Sequence, residues 1–455
     1  MGNNPPLLSK PIDGIKLDLS QKSLQRLNEE AKYYHQVSSI NLSDNEITSL
    51  PKSLIQCATI NELDFTRNSL SSLPYGLLQM SQLRSLSLSD NCLTDLPEKI
   101  ANLKHLQHLD LEANQLKELP PSLKKLNYLN SLNLSRNRLT SIPVNTSVLS
   151  NLIELNLSGN SLTMLPECKS NVKILNISHN DFEKFPSRKT LTGLKALKEL
   201  SFTSNQLKEV PESITILTNL TILDLRTNNI ERIDQCIGEC INLKRLLLSR
   251  NKLKNLPKQF NKLTQLEVLE LKDNQFTNFP RVVFTLFSLQ NLDLSNNNIS
   301  GMTIPSCYYS TSGHLSQITN FKKLPKLMQL KVLNISSNRI FAIDAKFFLI
   351  TPSLAELDIN NNKISNFPCT LPTLKQLKIL KLDRNNLSSL SGNFENFLSL
   401  KEISLNGNLF TEFPTQLTNL PNIDEIRLIS NMISTIPNSI KKLSNLKELY
   451  LSDNK

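Results

Sequence analysis

A line of the form Leu-x-Leu-x-x-Asn-x-Leu-x-x-Leu-Pro, complete at residues 109–120, returns every 23 residues and sets Asn45, Asn68, Asn91, Asn114, Asn137 and Asn160. It resumes at Asn180, Asn205, Asn228, Asn251, Asn274 and Asn297, and again at Asn338, Asn362, Asn385, Asn408, Asn431 and Asn454. Lys22 holds the same place in the first copy, so 19 repeats begin in the chain. A fixed period of roughly 20 to 29 residues overrides the two or three domains that 455 residues would otherwise suggest. No single copy can bury its apolar edge, so the copies must stack into one elongated solenoid.

The physics of one copy serves for all. Along residues 106–120, Leu106, Leu109, Leu111, Leu116 and Leu119 face inward, while Gln107, His108, Asp110, Glu112 and Ala113 face out from a short strand onto a concave sheet. Asn114 turns the chain away from the sheet. Its amide can satisfy backbone groups bared at the turn in its own and the adjacent repeat. Pro120 then opens the convex return, where a missing N–H does little harm. At an outermost strand the ladder asparagine loses a partner, which suits Lys22, and a charge there discourages edge pairing. Residues 28–34 read as the first convex helical turn.

The frame slips in three places. The spacing is 20 residues from Asn160 to Asn180 and 25 from Asn180 to Asn205, with both changes falling in the returns at 167–171 and 187–190. A larger break of 41 residues separates Asn297 from Asn338. Residues 301–314, with Tyr308 and Tyr309, read as an exposed loop and a possible site, because long loops on rigid scaffolds often carry function. Phe321 to Pro325 resembles the tail of a repeat. The expected division is a disordered arm at 1–13, repeats at 14–300, an insertion or degenerate repeat at 301–325, and repeats at 326–455. An ending at Lys455, one residue past a ladder asparagine, is expected of a fragment, a truncated product, or a strand that another chain covers.

Composition narrows the chemistry. There is no tryptophan and glycine numbers only 10, so neither a phosphate loop nor a cofactor site stands out, and no cofactor is expected. No Ser-His-Asp set or acid/base pair rises above the repeat consensus. Seven cysteines without paired terminal clusters suit a reducing compartment. Cys57 and Cys240 take a leucine's place in the convex return, and Cys236 with Cys240 lacks the further ligands that zinc requires. His105 and His108 likewise lack a completing carboxylate or thiol. The opening residues hold only Leu7 and Leu8 as a large apolar pair, which is no signal-peptide core, and Pro6 breaks a myristoylation pattern. The expected location is therefore cytoplasmic, where the nine Asn-x-Ser/Thr sequons carry no glycan. The net charge of +11 gathers in pairs such as Lys124–Lys125 and Lys441–Lys442 without interleaved aromatics, which argues against nucleic acid and membrane. Arg281-Val-Val-Phe284 matches a phosphatase-docking motif, but the frame buries Val283.

The outward strand positions are free to vary and are where such a scaffold binds. Their central series is polar to acidic from Asp18 to Ser201, and becomes mixed and then basic towards Lys381, Arg427 and Tyr450. The expected partner-binding patch comprises Asp224, Arg226, Arg245, Leu247, Arg250, Glu270 and Lys272, with Ile222 and Val268 beside them. Apolar residues ringed by arginines and acids are what interface cores use.

The frame at 106–120 and 243–257 resembles the intracellular leucine-rich repeats of Ras-binding scaffold proteins. Scribble/Erbin polarity proteins, adenylate cyclases and leucine-rich-repeat-linked type 2C phosphatases carry similar repeats. The resemblance implies an α/β solenoid, a curved horseshoe of about 19 repeats with a parallel concave sheet and short helical or irregular convex segments. It also implies a non-enzymatic signalling scaffold with a protein partner such as a small GTPase. The alternative it leaves open is the regulatory portion of a type 2C phosphatase whose catalytic domain lies beyond residue 455.

Overall fold

Each copy of the frame contributes one short strand, typically three residues such as His108–Asp110, because the asparagine turn that follows takes the backbone out of the ladder. The computed structural model describes residues 14–28, 32–74, 76–142, 151–166, 171–303, 327–369, 374–392 and 394–455. The chain divides into two units, residues 1–207 with 213–220, and residues 208–212 with 221–455. Nine ladder strands lie in the first unit, from Ile15–Asp18 to Glu199–Ser201, and ten in the second, from Ile222–Asp224 to Glu448–Tyr450. Within each unit the strands are parallel and the repeats are in register, as Leu86, Leu109 and Leu132 show in the first and Leu223, Leu246 and Leu269 in the second. This is the expected leucine-rich solenoid with its 19 strands.

The inward leucines form the core. Leu106, Leu111 and Leu116 are fully buried, and Leu109 and Leu119 nearly so. Buried beside them, the Asn114 amide donates to Leu111 O at 3.1 Å and Glu112 O at 3.2 Å in its own turn, and to Leu88 O at 2.9 Å in the preceding repeat. Its Oδ1 accepts from Leu93 N, also in the preceding repeat, at 2.9 Å. The pattern recurs along the ladder within each unit and reaches backward. Asn45, for example, accepts from Lys22 N at 3.1 Å and Leu24 N at 2.9 Å and donates to Leu19 O at 2.8 Å. Lys22 itself follows the first described strand, with no described repeat behind it for a side-chain amide to reach.

The residue just before the asparagine is left-handed in all 19 repeats, with φ between 50° and 67° from Gln21 to Asp453. Only Gly159 and Gly407 are glycines there; the others include Arg67, Ala113, Arg250 and the β-branched Thr227. Such a conformation costs an L-residue about 1–2 kcal/mol, so the amide clamp and the stacking hold a turn that most of these residues resist. The frame gives no hint of it because the position has no consensus.

The returns are mostly single 3-10 turns entered from proline, such as Pro121–Lys125 and Lys258–Lys262. Where the spacing lengthens to 25, the extra length forms an α-helical turn, Arg188–Thr192, whose Ser187 hydroxyl accepts from Thr190 N at 3.2 Å. In the return Arg281–Thr285 both Val283 and Phe284 are buried, so the phenylalanine of the docking motif is part of the core.

At the 41-residue break, strand Asn291–Asp293 pairs directly with Val332–Asn334, so the break adds no strand to the sheet. Gly301–Met302, expected to begin the exposed loop, instead pairs with Ala342–Ile343 and buries Met302. The apolar Met302 side chain gains more from the core than from water, which draws these residues into the frame. Rings from the returns on either side of residues 304–326 meet one another. Phe347 lies 5.9 Å from Phe279 and 6.4 Å from Phe284, and Phe348 continues the stack to Phe367 at 5.6 Å. The arm at 1–13, the segment at 321–325 and the candidate residues Tyr308 and Tyr309 lie outside the described residues.

Three substitutions test the turn. Asn114→Ala leaves buried partners on two repeats unsatisfied and should lower unfolding stability in urea by about 3 kcal/mol, whereas Lys22→Asn should change it by less than about 0.5 kcal/mol. Thr227→Gly removes a β-branched side chain from a positive-φ turn and should raise stability by about 1 kcal/mol in the same measurement.

Candidate protein-binding face

Register brings Asp224, Leu247 and Glu270 side by side on three adjacent strands of the second unit. Alternation turns all three outward, since their neighbours Leu223, Leu246 and Leu269 fill the core. Arg226 ties the row together. Its guanidinium meets the Asp224 carboxylate through Nε at 3.0 Å and Nη2 at 2.6 Å, and its Nη1 lies 3.9 Å from Glu270, two strands away. A side chain reaching from one carboxylate to the other must pass over Leu247. Leu247, expected as the accessible apolar anchor of the patch, is accordingly only 5% exposed. Side chains long enough to form an ion pair across the strands have sealed it.

The other expected residues divide. Arg245 and Lys272 are exposed, and Ile222 and Val268 are half-buried in the row that holds Arg245. Arg250 sits at the left-handed turn rather than on the strand, and its Nε lies 3.5 Å from Asp273. The central row runs on from Glu270 to Asp293, Asn334 and Asp358 in register, which extends the acidic side of the patch beyond the residues expected to form it. Among the described residues no group of three or more His, Cys, Asp or Glu side chains is placed to hold a metal ion. The His105 ring turns to Tyr128 at 5.8 Å. Burial pushes the Cys240 thiol up to about 12, as befits a leucine substitute. No described helix is long and apolar enough to cross a membrane.

The leucine-rich-repeat region model matches residues 36–170, and the leucine-rich-repeat model matches 170–230, 241–299, 328–387 and 399–455. The chain belongs to the leucine-rich-repeat family. Among solved structures it is similar to a leucine-rich-repeat protein of Leptospira interrogans, 27% identical over 98% of this chain and 91% of that one, with a TM-score of 0.64. It is similar also to the ectodomain of the Arabidopsis receptor kinase HAESA, solved with an N-terminally extended IDA peptide hormone. That match is 28% identical over 92% of this chain and 73% of the other, with a TM-score of 0.56. A third is PEPR1 in its complex with AtPEP1, 27% identical with a TM-score of 0.61, where the match covers 92% of this chain and 62% of that receptor chain. No curated protein matches the sequence.

In this leucine-rich-repeat protein the sheet face is electrostatically uneven. Burial raises the Glu270 carboxyl above its ordinary range; Arg226 opposes the rise, while Asp293 and Asp224 add to it. Burial likewise raises Asp358, against a backbone N–H from Asn360 and the charge of Lys381. Hydrogen bonding to Asp224 raises Arg226, which keeps its charge. A carboxyl raised in the folded state gives stability when protonated and loses it as pH climbs through the folded pKa. Ionised Glu270 and Asp358 therefore work against folding at neutral pH, an arrangement common where a surface serves binding. Glu270→Gln and Asp358→Asn should each leave the melting temperature equal to or above wild type at pH 7. The difference should shrink as pH falls to about 4, as followed by thermal unfolding across that range.

Proposed function

We propose that this leucine-rich-repeat chain is a non-enzymatic scaffold that binds a protein partner on the outward strand face of its second unit. The observation that carries the reading is the row Asp224, Leu247, Glu270 under Arg226, flanked by exposed Arg245 and Lys272. Charged side chains there are partly desolvated and held by one another, so a partner meets ordered groups rather than freely solvated ones. The peptide hormone held by the HAESA ectodomain supports a polypeptide as the occupant. The partner class that the resemblance to Ras-binding repeats suggests is a small GTPase, in cytoplasmic signalling.

Affinity capture with the purified chain from cells that express it tests the face. Arg245→Glu with Lys272→Glu should abolish recovery of the partner, and Lys124→Glu with Lys125→Glu in a return segment should leave it intact. Equal recovery by all three proteins would remove the face from consideration. A small GTPase partner should be recovered with a GTP analogue and lost with GDP, and recovery indifferent to nucleotide would remove that class.

A further inference from the structure

Beyond the ladder asparagine each repeat runs along one flank of its unit before the return begins. There the apolar residues of the frame point in, and the first, third and fourth residues after the asparagine point out. Ile340 and Ile343, for example, are buried, while Arg339, Phe341 and Ala342 are exposed. Backbone bonds link these flank stretches from repeat to repeat, as when Arg339 N donates to Ile299 O at 2.9 Å and Lys363 N to Ile340 O at 2.8 Å. At the start of the second unit the flank mixes acids and bases, and Arg232 pairs there with Glu209. From Lys252 to Ser389, over six repeats, its outward positions carry no carboxylate at all.

Four cations stand on that acid-free stretch: Lys252, Lys254, Arg339 and Lys363, all exposed. None of them forms an ion pair among the described residues. Phe341 stands between the last two and is 62% exposed. Its N–H donates to Ser300 O at 3.2 Å, and the next residue on that repeat, Gly301, has no side chain to cover the ring. Phe341 lies two residues from Arg339, about 7 Å along the chain, and Lys363 is one ladder step of about 5 Å away. A phenylalanine left in water contributes nothing to folding, and neither do neighbouring cations without partners. Aromatic rings and arginines are what the centres of interfaces concentrate. A single ring does not suit single-stranded nucleic acid, which stacks successive bases on successive aromatics. One apolar anchor on an acid-free surface suits a polypeptide that carries carboxylates around an apolar side chain.

We propose that the flank centred on Arg339, Phe341 and Lys363 is a second docking surface, separate from the strand face, and that it takes an acidic protein segment. Carboxylates of the segment pair with Arg339 and Lys363, and an apolar side chain between them lies on the Phe341 ring. Lys252 and Lys254, on an earlier repeat of the same flank, extend the positive field along which the segment approaches.

The test uses the full chain and a fluorescent peptide of glutamate and serine with a central pair of leucines, in anisotropy titrations. The same peptide with lysine for glutamate, and an oligothymidine of equal length, serve as comparators. The acidic peptide should bind, more weakly as salt is raised, and the lysine peptide should not. Phe341→Ser should weaken binding about tenfold, and Arg339→Glu with Lys363→Glu should abolish it. Because Phe341 is exposed, Phe341→Ser should melt within about one degree of wild type, so lost binding would not reflect lost fold. Arg245→Glu with Lys272→Glu, on the strand face, should leave peptide binding unchanged. Absence of acidic-peptide binding, equal binding of the lysine peptide, or full binding by Phe341→Ser would overturn the assignment. Loss of binding on the Arg245 and Lys272 changes would move the acidic segment to the strand face and overturn it too. Tighter binding of the oligothymidine than of the peptide would make the flank a nucleic-acid surface instead.

Discussion

The backward reach of the asparagine side chain is the interaction on which the rest depends. Backbone bonds run both ways between neighbouring repeats, as when Leu88 N donates forward to Asp110 O at 2.8 Å and Gln115 N donates back to Leu93 O at 2.9 Å. The Asn114 amide reaches only back, donating to Leu88 O and accepting from Leu93 N outside its own turn. Each repeat is thus tied to its predecessor by backbone and side-chain bonds together, and the exit from the strand finds its partners within the protein. This permits strands as short as three residues, since the ladder is held at its ends as well as along its length.

A consequence is that the outward positions carry little of the structural burden. Leucines fill the interior and asparagines hold the turns, so the side chains between them are released for other uses. In the second unit that freedom is spent on Arg226, which lies across Leu247 to reach two carboxylates, and on an acidic row whose Glu270 and Asp358 are raised by burial. A face that accepts such costs is shaped by something other than folding.

Much of the fold was legible in the sequence because the period ties each leucine and asparagine to one role. The strand count, the inward set at Leu106 to Leu119 and the burial of Val283 all follow from the frame. The left-handed turn did not, because residues as unlike as Arg67, Ala113 and Thr227 occupy it and only the asparagine beside them betrays its shape. Nor did the pairing of Gly301–Met302, which lacks the leucine signature yet gains a partner in Ala342–Ile343. At the candidate site, spacing put Asp224, Leu247 and Glu270 on one row, but not that Arg226 would close over Leu247. That depends on the reach of a long side chain across two strands.

The central claim is directional, and hydrogen exchange read by mass spectrometry on Asn114→Ala tests it most directly. Loss of the amide should strip protection from the preceding turn, around Leu88 to Leu93, while the following turn around Leu134 to Leu139 keeps its own clamps from Asn137 and Asn160. Equal loss on both sides, or loss confined to the following repeat, would contradict an asparagine that holds the repeat behind it.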